Sequence, residues 1–170
     1  MDVGNPARMT RWAGLPLVFA LGCSGYGLTE PKTPPIEPFA AAPAGHAQIC
    51  VIRPHGFKAA AVTFVVRDNG RLVGATKGAS YFCYFAQPGK HRVTSEADDA
   101  QEANVLAIPG ARYYLRQKVS NVLGWVSSPM EWVGEGEAHE MISRCEYRVL
   151  TDVPDGEARP PVNPVAAATP

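Results

Sequence analysis

The chain has 170 residues, with 16 lysines and arginines balancing 16 aspartates and glutamates, so its formal net charge is zero. This length suits one ordinary domain and leaves too little for a second. The balanced charge lacks the basic excess that is typical of nucleic-acid-binding proteins, so we expect no nucleic-acid partner. The prolines cluster in residues 31–43 and 154–170, which predicts one folded core with flexible flanks.

The first 22 residues have the pattern of an export signal. Arg8 and Arg11 precede ten mostly apolar residues, 12–21, that are too few to span a bilayer. The segment then ends in Ala20-Leu21-Gly22-Cys23. This ending resembles a lipobox, the motif at which bacterial lipoproteins are cleaved and lipidated on the cysteine. The resemblance implies a signal peptide over 1–22 and a lipid on Cys23, with either Met1 or Met9 as the start.

The lipobox resemblance also implies a location in the cell. Palmitate and the other acyl chains of a lipidated cysteine would hold the protein at a membrane. Ser24 follows the cysteine, and by similarity to enteric lipoproteins the absence of aspartate there favours the outer membrane, on the periplasmic side or at the surface. Residues 23–46 then read as a proline-rich tether, 47–152 as a β-rich domain, and 153–170 as a disordered tail rich in proline and alanine.

The middle of the chain predicts a mainly β fold, a small antiparallel β-sandwich or open barrel of about seven short strands. Asn69-Gly70 between two apolar runs indicates a tight hairpin, because both residues accept positive φ. Helical spacing of apolar residues from Glu135 to Glu146, acidic at the start and basic at the end, predicts one amphipathic helix laid over the sheet. The seven strands are predicted over residues 48–53, 60–67, 71–76, 80–86, 91–96, 104–108 and 112–120, and residues 147–150 suggest a further short one.

The middle of the chain, about residues 48–146, is similar to a family of short bacterial lipoprotein domains of unknown function. The resemblance implies a small β-sandwich-like fold and an envelope location, and it implies no reaction. It rests on Ile52-Arg53-Pro54, Val73-Gly74, Gly78, Ser80-Tyr81-Phe82, Pro88-Gly89-Lys90-His91, Gly110 with Tyr113-Tyr114, and the acidic helix.

Three cysteines remain after Cys23, so at most one disulfide closes within the domain. Cys83 on a central strand and Cys145 on the covering helix form one candidate pair, and Cys50 is an alternative partner for either. The opposing interpretation is that all three are small buried apolar residues. Nothing in the sequence indicates that a histidine or basic side chain activates one of these thiols.

The four histidines show no metal-ligand spacing, and we expect them at the surface or at strand ends, with no metal or cofactor bound. Trp125, Met130 and Trp132 form an aromatic-rich stretch that either packs beneath the helix or presents a binding surface.

The sequence therefore predicts a non-enzymatic binding or structural module without catalytic residues. Its expected partners are the membrane, through the lipid, and an envelope protein or polysaccharide. The alternative is a periplasmic redox protein or enzyme that uses the thiol of Cys83 or Cys145.

Overall fold

The computed structural model describes residues 25–56 and 60–168, together with Met1. These residues form fourteen strands and one helix, which confirms the predicted mainly β fold. The elements in chain order are β1 Gly27–Thr29, β2 Ala47–Arg53, β3 Thr63–Asp68, β4 Arg71–Lys77, β5 Ser80–Ala86, β6 Gly89–Glu96, β7 Ala100–Ala107, β8 Arg112–Gln117, β9 Ser120–Val122, β10 Trp125–Ser127, β11 Met130–Val133, α1 Glu135–Ile142, β12 Glu146–Tyr147, β13 Val149–Asp152 and β14 Val165–Ala166.

The larger sheet has six strands in the order β11-β8-β2-β5-β12, with β14 also paired to β5. It is mixed, because β8 runs parallel to β2, and both β12 and β14 run parallel to β5. The predicted antiparallel pairing therefore does not hold for these three strand pairs. Two parallel strands need a long connection, because the chain must travel back to the end of the sheet where the first strand began. A tight hairpin cannot do this.

The smaller sheet has four antiparallel strands in the order β4-β3-β6-β7. Its first hairpin turns at Asn69 and Gly70, whose φ angles are 49° and 79°. These values confirm the predicted turn with positive φ at both central residues.

The main core lies between the two sheets. Phe82 on β5 reaches across to Gly74 on β4, where an added Cβ would lie 2.5 Å from the Phe82 ring. Arg53 on β2 is 1% exposed, and its guanidinium lies 4.1 Å from the centre of the Phe64 ring on β3. The two sheets therefore pack as a sandwich whose interior includes both apolar contacts and buried polar side chains.

A third layer covers the outer face of the six-stranded sheet. It consists of α1 and residues 36–39, and Ala138 of the helix is fully buried there. Arg112 and Arg116 of β8 form salt bridges with Glu135 and Glu137 of the helix. The predicted covering helix is confirmed, although it ends four residues earlier than expected because the chain turns into β12.

The two flanks lie against the domain, unlike the free tether and disordered tail that their composition predicts. In the first flank Ile36 is 3% exposed, and the carbonyl of Pro38 accepts hydrogen bonds from Gln48 and Tyr114. In the second, the backbone N–H of Phe85 donates to the carbonyl of Pro164, and Ala166 is fully buried. Proline lacks an N–H but keeps its carbonyl, so such a segment can still be held by donors on a neighbouring strand.

The outer face of the four-stranded sheet is covered over only half its width. β1 and β13 pair as a two-stranded ribbon, which packs Leu150, Tyr26 and Leu28 on Val65, Leu72 and Ala75 of β3 and β4. Within the part of the chain that the structure describes, the face of β6 and β7 carries no such cover. Among the described residues, no helix combines the length and apolar character needed to cross a membrane.

Candidate functional site

The disulfide of the structure joins Cys50 to Cys83, with an S–S distance of 2.05 Å. These residues face each other directly in the antiparallel pairing of β2 with β5, and they are 0% and 1% exposed. The first-named candidate pair, Cys83 with Cys145, is therefore wrong, and the alternative partner Cys50 is the one used. Two residues that face each other in adjacent antiparallel strands have Cβ atoms close enough for a disulfide bond, whereas Cys145 lies beyond the end of α1.

Cys145 is a free, half-buried thiol. Its Sγ atom lies 3.5 Å from the backbone carbonyl of Arg53, to which it donates a weak hydrogen bond. Burial, and then the negative charge of Glu146, raise the pKa of the Cys145 thiol to about 11. The thiolate is the nucleophilic form, so this environment suppresses the reactivity that a catalytic thiol would need.

The stretch of Trp125, Met130 and Trp132 is divided between the surface and the interior. Trp125 on β10 is 61% exposed. Met130 and Trp132 on β11 are half-buried and pack against the main core. The indole N–H of Trp132 donates to the carbonyl of Asn104, and its ring meets the edge of Tyr113. Of the three residues predicted as a binding surface, only Trp125 is open to solvent.

A buried polar network of Asp68, Tyr84 and His91 lies at one end of the sandwich. All three side chains are at most 1% exposed. The carboxylate oxygen Oδ2 of Asp68 is 2.7 Å from Nδ1 of His91 and accepts a 2.9 Å hydrogen bond from the Tyr84 hydroxyl. The other ring nitrogen of His91 lies 2.7 Å from the carbonyl of Gln87.

Both nitrogens of His91 thus face acceptors, an arrangement that fits the doubly protonated, positively charged ring. Burial opposes that charge, but the hydrogen bonds to Asp68 and to the Gln87 carbonyl, with the charge of Asp68, outweigh it and raise the pKa of His91. The expected surface or capping position is wrong for His91. His91 lies on β6 between the outward-facing Lys90 and Arg92. Because successive side chains of a strand point to opposite faces, this position could have indicated that His91 is buried.

The outward side chains of β6 and β7 form what we call the basic–apolar face, defined by Lys90, Arg92, Asn104 and Leu106 with Ile108 beside them. Register places Lys90 opposite Leu106 and Arg92 opposite Asn104. An open cleft of about 820 Å³ lies against these residues. Leu106 and Ile108 are 63% and 55% exposed, so two large apolar side chains stand beside two cations. No pattern in the sequence indicates this face, because its members come from two strands.

Within residues 25–56 and 60–168, no group of three or more histidine, cysteine, aspartate or glutamate side chains is arranged to hold a metal ion. Cys23, the proposed lipidation site, lies outside the described residues.

Comparison with models of protein families, with curated proteins and with solved structures gave no match to this chain. The fold and its exposed faces define a mainly β, sandwich-like protein, and the resemblance to small lipoprotein domains stays a prediction.

Proposed function

We propose that this protein is a membrane-anchored lipoprotein of the bacterial envelope, and that its folded part is a non-enzymatic binding or structural module. The lipid on Cys23 supplies the anchor, and the membrane is the outer one. The open faces of the sandwich are available for a membrane, a protein or a polysaccharide.

The observation that carries this proposal is the disulfide between Cys50 and Cys83 at the centre of the six-stranded sheet. Disulfides persist in oxidising compartments such as the bacterial periplasm and are rare in the cytosol. This pair lies under the layer formed by residues 36–39 and α1, where the amide of Gln48 reaches the Cys50 sulfur at 3.4 Å. A fully buried disulfide of this kind suits a structural role in an exported protein.

The rival hypothesis is a thiol-dependent redox protein or enzyme that uses Cys83 or Cys145. Cys83 is bonded and 1% exposed, so reductants and substrates reach it only when the sheet opens. Cys145 has a thiol whose pKa is about 11. Both features favour the binding or structural module over thiol chemistry.

Mass spectrometry of the protein from a bacterial membrane fraction tests the anchor. We expect a mature chain that begins at Cys23 and carries acyl chains. The membranes are first washed at high salt, which releases contacts that depend on surface charge. After that wash Cys23→Ser should have lost both the added mass and the membrane partition, while the control Cys145→Ser should keep both. A mature protein with an unmodified Cys23 in the soluble fraction would overturn the proposal.

A further inference from the structure

We propose that the basic–apolar face docks onto the surface of an anionic lipid bilayer. The proposed function supplies the anchor that would place this face at its own membrane. The docking itself is a separate property of the folded domain.

The charges of this face are open to a partner. Lys90 and Arg92 are exposed, and neither forms a salt bridge with any residue in the described part of the chain. Their neighbours His91, Val93 and Ser95 on β6 are buried, so strand alternation directs Lys90 and Arg92 to the outer face. Two unpaired cations on a neutral chain mark a local positive surface.

The apolar members of the face lie at the same end as these cations. Leu106 stands directly opposite Lys90, and Ile108 follows two residues later. Lysine and arginine pair with lipid phosphates while exposed aliphatic side chains enter the boundary between headgroups and acyl chains, as amphipathic surface segments do. Two acidic side chains, Glu96 and Glu102, also lie on the outer side of β6 and β7, but toward the other end of the strands. Glu102 is opposite Thr94 and Glu96 is opposite Ala100. The docking contact is therefore the end that holds Lys90 and Leu106.

The start of the described chain favours a bilayer over a nucleic acid or another protein. Tyr26 lies on the same outer face of the four-stranded sheet, and its hydroxyl donates a 2.6 Å hydrogen bond to Glu157. Arg67 forms salt bridges with that glutamate and with Glu96 of β6. This chain of contacts brings the N-terminal ribbon to the Glu96 end of β6, on the same outer face of the sheet as Lys90 and Arg92.

The anchor would then hold this face close to the lipid. Tyr26 is three residues after Cys23, and three extended residues span only about 10 Å. A lipid on Cys23 would therefore keep the outer face of the four-stranded sheet next to the bilayer, where weak contacts by Lys90, Arg92 and Leu106 are made at high effective concentration.

The first test is cosedimentation with vesicles, using the full chain with Cys23→Ser so that no lipid contributes. We expect binding to vesicles of phosphatidylcholine with phosphatidylglycerol and much weaker binding to phosphatidylcholine alone. Each basic residue near an anionic surface contributes about 1 kcal/mol, so Lys90→Gln with Arg92→Gln should weaken binding roughly 30-fold. Arg144→Gln, an exposed cation on the opposite layer, is the control and should change binding little. Equal binding by the two variants would overturn the proposal.

The second test locates the contact even if residues 12–21 also bind lipid. An environment-sensitive fluorophore is attached to Leu106→Cys, and in a matched protein to Ser143→Cys, both with Cys23→Ser and Cys145→Ser. We expect a blue shift at position 106 with anionic vesicles and none at position 143. A label at 106 that stays water-exposed on vesicle-bound protein overturns the docking. Because these chains carry no lipid, the result is independent of whether Cys23 is acylated.

Discussion

The Nδ1 atom of His91 lies 2.7 Å from the Oδ2 atom of Asp68, and the side chains of both residues are 0% exposed. Tyr84 donates a hydrogen bond to the same carboxylate oxygen, and that environment raises the pKa of the Tyr84 hydroxyl well above its usual range, first through burial and then through the charge of Asp68. The pair connects β3 to β6 at the end of the sandwich where residues 165–167 pass. Asn69, next to Asp68, donates to the carbonyl of Ala167.

This pair predicts a stability that falls as the pH rises. The pKa of His91 is raised in the folded protein, whereas in the unfolded chain it is close to 6.5. Below about pH 6.5 both states bind the proton, and the full stabilisation is present. As the pH rises through the pKa of His91 in the folded protein, this contribution to the free energy of unfolding is lost, by at most about 1.4 kcal/mol per pH unit. Urea unfolding at a series of pH values between 6 and 8.5 measures this loss.

The control for this prediction is His91→Gln, which keeps a hydrogen-bonding side chain but cannot carry the charge. We expect a lower free energy of unfolding at pH 6 and a flatter pH profile than in the unmodified protein. A profile with the same slope in His91→Gln would show that another group produces the pH dependence.

A second prediction concerns the close approach of the two sheets at Gly74. Its missing Cβ would lie 2.5 Å from the Phe82 ring, so Gly74→Ala should overpack the core and lower the free energy of unfolding by about 1–3 kcal/mol. The matched control is Gly136→Ala in α1, where nothing lies within 4 Å of the added Cβ. That change should stabilise the protein by about 0.5–1 kcal/mol, because alanine favours a helix. Denaturant unfolding of both variants checks the opposite signs.

A third prediction concerns the disulfide. Cys50 and Cys83 are 33 residues apart in sequence, and closing a loop of that size stabilises a protein by roughly 3–4 kcal/mol through the unfolded chain. We expect a loss of that order in the Cys50→Ala, Cys83→Ala double variant. Cys145→Ala should cost less, because that thiol closes no loop. Equal losses in the two variants would contradict the role given to the bond.

A fourth prediction separates the binding module from a thiol enzyme. With a pKa of about 11, Cys145 should react with iodoacetamide at pH 8 roughly 100-fold more slowly than a thiol of ordinary pKa, since the thiolate is the reacting form. The measurement uses Cys23→Ser, in which Cys145 is the one unpaired cysteine. Unfolding in urea should restore ordinary reactivity. Fast alkylation of Cys145 in the folded protein would support the alternative hypothesis of a thiol-dependent redox protein or enzyme.

Much of the fold could be predicted because local patterns carry it. The predicted strand over 80–86 coincides with β5, and the Asn69-Gly70 turn and the start of α1 at Glu135 also agree with the structure. Strands of two to four residues, such as β1, β9, β10 and β14, were missed because so few residues show no periodicity of their own. Their pairing is decided by distant partners. β14, for example, pairs with Phe85 and Ala86 of β5, the part of that strand that β12 leaves unpaired.

The sequence by itself determined the alternation of strands, the hairpin turn and the helix, because each depends on the conformational preferences of adjacent residues. The candidate cysteines follow from their number and positions alone. It also carries the prediction of Cys23 as an anchor, which lies outside the described residues. Only the tertiary structure decided that Cys50 pairs with Cys83, that His91 is buried on Asp68, and that Lys90 meets Leu106 on an open face. These relationships depend on strand register, which is set by packing across the whole sandwich and by no single segment of the chain.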